Sequence, residues 1–98
     1  MTRYTVRVEL HNAEGSDYDD LHEEMAKQGF SKTIYLQDSG MHDLPTAEYS
    51  LIEDGTTSSA VLDRAITAAK KVKPKPTPSI IVTETEKLRK TYGLTKSE

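Results

Sequence analysis

The stretch Arg3-Tyr4-Thr5-Val6-Arg7-Val8-Glu9-Leu10 alternates apolar and polar residues without a break. Tyr4, Val6, Val8 and Leu10 share one face, and Thr5, Arg7 and Glu9 share the other. A period of two with β-branched side chains predicts a strand buried on one side only. Three further strands are expected downstream. Residues 32–37, with Thr33, Ile34 and Tyr35, form the second. Residues 46–53 form the third, with Ala47, Tyr49 and Leu51 facing inward. Residues 79–83 form the fourth. Asp38-Ser39-Gly40 is a turn signal between the second and third strands, in a loop that runs through Asp43.

Two helices separate these strands. Ser16 with Asp19 three residues on gives an N-terminal cap, and Asp17, Asp19 and Asp20 suit the positive end of the helix dipole. Tyr18, Leu21 and Met25 make the buried stripe, with His22 at its border packed on Tyr18, and Gly29 ends the helix. The second helix starts at one of the cap candidates in residues 56–59 and runs to Val72. Its apolar face is Val61, Leu62, Ala65, Ile66, Ala69 and Val72. Pro74, Pro76 and Pro78 forbid its continuation. Residues 84–94 read either as a short helix on Leu88 and Tyr92 or as an arm used in assembly.

The order strand-helix-strand-strand-helix-strand predicts an α+β fold of the ferredoxin-like βαββαβ kind: a four-stranded antiparallel sheet with two helices on one face. One domain of 98 residues is expected, with its core in about residues 2–84 and an arm or short helix in 85–98. The second sheet face is then left open. It would present Thr5, Arg7, Glu9, Glu48, Ser50, Ile52, Ile81 and Thr83, a mixed surface suited to a homodimer contact. Tyr4 and Tyr49 point inward, so this face has no aromatic ring on which a nucleic-acid base would stack.

Composition narrows the chemistry. Without cysteine, disulfides, thiolate nucleophiles and cysteine-bound zinc are excluded, which fits a reducing, cytoplasmic compartment. No apolar run is long enough to span a membrane, and Met1-Thr2-Arg3-Tyr4 enters the strand pattern directly, so no signal peptide is expected. The net charge of −3 argues against bulk attraction to nucleic acid, leaving local basic patches. Lys70, Lys71, Lys73 and Lys75 are the dense cationic stretch. They serve as phosphate contacts, or else complement the helix dipole. His11, His22 and His42 lack metal-ligand spacing, so neither a metal nor a cofactor is expected.

Particular residues extend the pattern to a family. Tyr4-Thr5-Val6-Arg7-Val8, Gln28-Gly29-Phe30-Ser31, and the tail from Ile81-Val82-Thr83 to Arg89 and Tyr92 resemble GhoS, the antitoxin of type V toxin–antitoxin systems. The resemblance runs along essentially the whole chain. It implies an endoribonuclease acting on single-stranded toxin messenger RNA. It also implies kinship with small dimeric CRISPR-associated nucleases of ferredoxin-like fold. Those carry an aspartate at the end of the first strand, where this chain has Glu9, then His11 and Asn12. The expectation is therefore metal-independent cleavage, which needs a base, an acid and a cation. Glu9 and His11 are the acid–base candidates at the strand exit. Arg7 is the cation, unless it pairs with Glu48 or Glu9, and His22 is a further candidate on the helix. The competing expectation is a non-catalytic dimeric interaction or regulatory module of the same fold.

Overall fold

The computed structural model describes residues 1–36 and 40–97. Its elements are β1 (Arg3–Glu9), α1 (Gly15–Lys27), β2 (Thr33–Leu36), β3 (Gly40–Asp43), β4 (Glu48–Ile52), α2 (Ser58–Val72) and β5 (Ser79–Thr85). The first two residues of the expected Asp38-Ser39-Gly40 turn, and Gln37 of the expected second strand, lie outside the described residues.

β1 is the central strand of a three-stranded sheet ordered β4-β1-β5, antiparallel to both neighbours. Its alternation sorts the two faces as expected. Tyr4, Val6 and Val8 are buried against Leu21 and Met25 of α1 and Val61, Ala65 and Ala69 of α2, so both helices cover one side of the sheet. Tyr49 and Leu51 of β4 close the same cluster, and Phe30 plugs it beyond α1. The stripe of α2 turns slightly from the expected one: Ala68 is buried, whereas Leu62 and Ile66 are only partly covered.

The expected single four-stranded sheet is not formed. β2 pairs instead with β3 in a separate two-stranded hairpin, and it reaches β4 through one bridge, Ser31 with Ser50. β3, a short, mostly polar stretch that reads as loop, pairs along one edge of β2. On the other edge the ladder stops at Ser31, because the Thr33 amide and carbonyl bond Ser31 Oγ while the Glu48 amide and carbonyl bond Pro45 and Lys32. His42 and Asp43 are thus strand residues rather than loop residues, and His42 is buried.

Local signals at the helix ends hold with one shift. The cap of α1 is Glu14, not Ser16: the Glu14 amide donates to Asp17 Oδ2 at 3.0 Å. Gly29 adopts φ +93° past the end of α1, where the Phe30 amide reaches back to the Met25 carbonyl at 3.1 Å. Thr57 caps α2, accepting from the Ala60 amide at 3.1 Å.

Residues 86–97 form no helix. They leave β5 as an extended arm whose Arg89 Nη1 donates to the Tyr4 carbonyl at 3.2 Å and to Thr5 Oγ1 at 3.3 Å. The arm ends along β3, where the Asp43 amide bonds the Thr95 carbonyl and the Ser97 amide bonds the Met41 carbonyl. The sheet face opposite the helices is consequently only half open. Ser50 is 4% exposed and Thr5 is partly covered, while Arg7, Glu9 and Ile81 remain exposed.

Candidate functional site

The C-terminal end of β1 carries the sequence candidates. Antiparallel register sets Glu9 opposite Ser79 and Arg7 opposite Ile81 on β5, and Arg7 opposite Glu48 on β4. Because side chains alternate along a strand, Arg7 and Glu9 emerge on the helix-free face two residues apart. They line a shallow depression of about 230 Å³ together with Ser79, Ile80 and Ile81. His11 lies just beyond the strand, and its Nε2 is 2.8 Å from Ser79 Oγ. Its Nδ1 makes no hydrogen bond among the described residues, so the ring keeps a nitrogen for proton exchange.

Glu9 and His11 therefore meet at one residue, Ser79, that sequence reasoning did not single out, with Arg7 lining the same depression. Its signal is register: the first residue of β5 faces the last residue of β1. Arg7 is not fully free. Its Nη1 lies 3.4 Å from Glu48 Oε1 in an exposed ion pair, the pairing weighed against a phosphate contact. An exposed pair of this kind is weak, about 0–1 kcal/mol, so it yields readily to a stronger anion.

His22 does not join this group. It sits on α1, on the helix-covered side of the sheet, and its Nδ1 is 2.6 Å from the Tyr49 hydroxyl. Tyr18, its expected partner, bonds the backbone of Leu10 instead. Burial first, then the positive charge of Lys32, holds the His22 imidazole below its ordinary pKa, while Asp19 opposes weakly. Burial likewise pushes the Tyr49 phenol well above its ordinary value. Lys32 completes the cluster. Its Nζ lies 2.7 Å from the Pro45 carbonyl, 3.1 Å from that of Glu48 and 5.1 Å from the Tyr49 ring centre. The fold thus sets His22 on the other side of the sheet from Glu9, away from the depression.

The lysine stretch begins on the opposite layer and approaches the depression. Lys70 and Lys71 are in the last turn of α2, Lys73 caps it, and Lys75 lies in the connector that enters β5 at Ser79. Lys71 Nζ is 3.9 Å from Glu24 Oε1, whereas Lys70, Lys73 and Lys75 form no salt bridge among the described residues. The stretch thus ends four residues before Ser79, at the same end of the sheet as Glu9 and His11.

Among the described residues no cluster of three or more His, Asp or Glu side chains is placed to hold a metal ion. No helix among them is long and apolar enough to cross a membrane. No protein-family model, curated protein or solved structure matches the chain.

Proposed function

We propose that this chain is an antitoxin of the GhoS type, a metal-independent endoribonuclease that cleaves single-stranded RNA at the exit of β1. The grouping of Arg7, Glu9 and Ser79 in one depression, with His11 hydrogen-bonded to Ser79, carries this reading. In the reaction Glu9 acts as the base and takes the proton of a ribose 2′-hydroxyl. The 2′-oxygen attacks the adjacent phosphorus, and the bond to the 5′-oxygen breaks. His11, oriented by Ser79, supplies the proton to that leaving oxygen, and the products are a 2′,3′-cyclic phosphate and a 5′-hydroxyl. Arg7 leaves Glu48 to neutralise the charge that builds on the phosphorane. Lys70, Lys73 and Lys75 lead the strand towards the depression.

The ferredoxin-like assignment belongs to the same proposal. It is supported by the order β4-β1-β5, two helices on one face, and the Ser31–Ser50 bridge that ties the β2–β3 hairpin beside β4. Homodimerisation through the remaining open face and a cytoplasmic location complete it. Ile81, 63% exposed beside Glu9, also favours a second reading: a non-catalytic module that docks a protein there.

Labelled single-stranded RNA with the purified chain separates the two. The nuclease reading expects cleavage that survives EDTA and falls at least about 100-fold in His11→Ala, the usual worth of an acid–base group. Absence of cleavage together with a specific protein partner would establish the interaction module instead. Light scattering after size exclusion tests the dimer, which a monomer at high concentration would eliminate.

A further inference from the structure

A second cavity lies on the same sheet face, at the far end from Glu9. It exists because the β2–β3 hairpin does not continue the sheet. Between the hairpin, β4 and the C-terminal arm a space of about 510 Å³ is left. That lies within the roughly 300–1,000 Å³ of small-molecule sites. Ile34, Leu36, Met41, Ile52 and Leu88 give it apolar walls. Arg3 and Arg89 are the charged residues among the described residues that line it.

The two guanidinium groups are poorly compensated. Neither forms a salt bridge among the described residues. Arg3 Nη1 donates to the backbone carbonyls of Met1, at 3.4 Å, and Glu86, at 2.9 Å. Arg89 Nη1 donates to the Tyr4 carbonyl and Thr5 Oγ1, and its buried Nε has no hydrogen-bond partner among the described residues. Burial first, then the nearby Arg3, disfavours the Arg89 charge. Two like charges facing an apolar space are costly unless an anion neutralises them. A fork-shaped guanidinium suits carboxylate or phosphate oxygens.

We propose that this cavity binds a small amphipathic anion, a carboxylate or phosphate monoester on an apolar or aromatic body, with the anion at Arg3 and Arg89 and the body against Ile34, Met41 and Leu88. The site is independent of RNA cleavage, whose residues Arg7, Glu9 and His11 line other space. Its affinity requires both halves of the ligand.

The test is titration of the isotope-labelled full chain with phenyl phosphate and octanoate, each against its uncharged counterpart, phenol or octanol, and against inorganic phosphate. Saturable shifts at Ile34, Ser50 and Leu88 are expected for the two amphipathic anions. Phenol, octanol and inorganic phosphate should each bind about tenfold more weakly or worse, the usual worth of one charge-assisted hydrogen bond. Arg89→Gln should lose at least the same factor and Arg89→Lys less. Met41→Trp, at a half-exposed position on the hairpin wall, fills the space and should also abolish binding. Equal binding of the neutral and anionic probes would overturn the proposal. So would inorganic phosphate matching phenyl phosphate, shifts confined to Lys70 and its neighbours, or no saturation at all.

Discussion

Lys32 is the residue whose replacement tests the interior most directly. Its ammonium bridges carbonyls of the β3–β4 connection, at 2.7 Å from Pro45, 3.1 Å from Glu48 and 3.5 Å from Leu44. Pro45 offers no amide donor, and the other backbone bonds here run from the Leu44 amide to Lys32, from the Glu48 amide to Pro45 and from the Val8 amide to Ala47. Lys32→Met keeps most of the side-chain volume and removes every donor. A hydrogen bond to a charged group contributes about 1.5–3 kcal/mol, and the contact with the Tyr49 ring roughly 0.5–1 kcal/mol more. Relief from half-burying an ammonium offsets part of this. A net loss of about 2–3 kcal/mol follows, which in a chain of this size lowers Tm by roughly 8–24 °C. The same change removes a positive charge that depresses His22, so the His22 midpoint should rise. It should stay below the ordinary 6.5, because burial is the larger cause. Calorimetry and histidine proton NMR read the two effects on one sample. A variant within about 0.5 kcal/mol of wild type, with the His22 midpoint unmoved, would show that the ammonium is solvated rather than tied to the connection.

Gly29→Ala should destabilise by about 2–3 kcal/mol, since φ +93° strains any other residue and the new Cβ would lie 2.7 Å from Arg64 Nη2. Arg64 holds the Gln28 carbonyl and Glu53, so removing it as well should make the double variant less harmful than the sum of the two. Strict additivity in denaturant melts would contradict this contact. His22 predicts a pH dependence. Its pKa is lower in the folded chain, so below about 6.5 the unfolded chain binds more protons and stability rises with pH. The His22 contribution is complete above that value and is lost as pH falls through it towards the folded midpoint. Urea melts between pH 5 and 7 should show this slope, and His22→Gln should flatten it; an unchanged slope would assign it to other groups.

Periodicity was enough for the elements that bury one face. Val6 and Val8 of β1, the Leu21–Met25 stripe and the Val61–Ala65–Ala69 stripe are each apolar at the spacing of their own element. Burial of such a face is the largest favourable term in folding, so its pattern is written locally. Gly29 and the Thr57 cap are equally local, because backbone conformation and an unpaired amide are satisfied within a few residues. The halves of the candidate site on β1, Arg7, Glu9 and His11, were legible for the same reason: alternation told which side chains leave the core.

Tertiary pairing settled the remainder. β3 has no apolar pattern to announce it; it is a strand because β2 bonds its backbone on one side, and on the other Thr95 accepts from Asp43 while Ser97 donates to Met41. That pairing joins residues more than 50 positions apart along the chain, and the cavity lined by Arg3 and Arg89 lies between the hairpin, β4 and the arm. Ser79 meets His11, and His22 meets Tyr49, only through strand register and helix packing. Hydrogen bonds between distant backbones carry no side-chain signature, so the place where two segments meet is set by the whole chain's competition for partners.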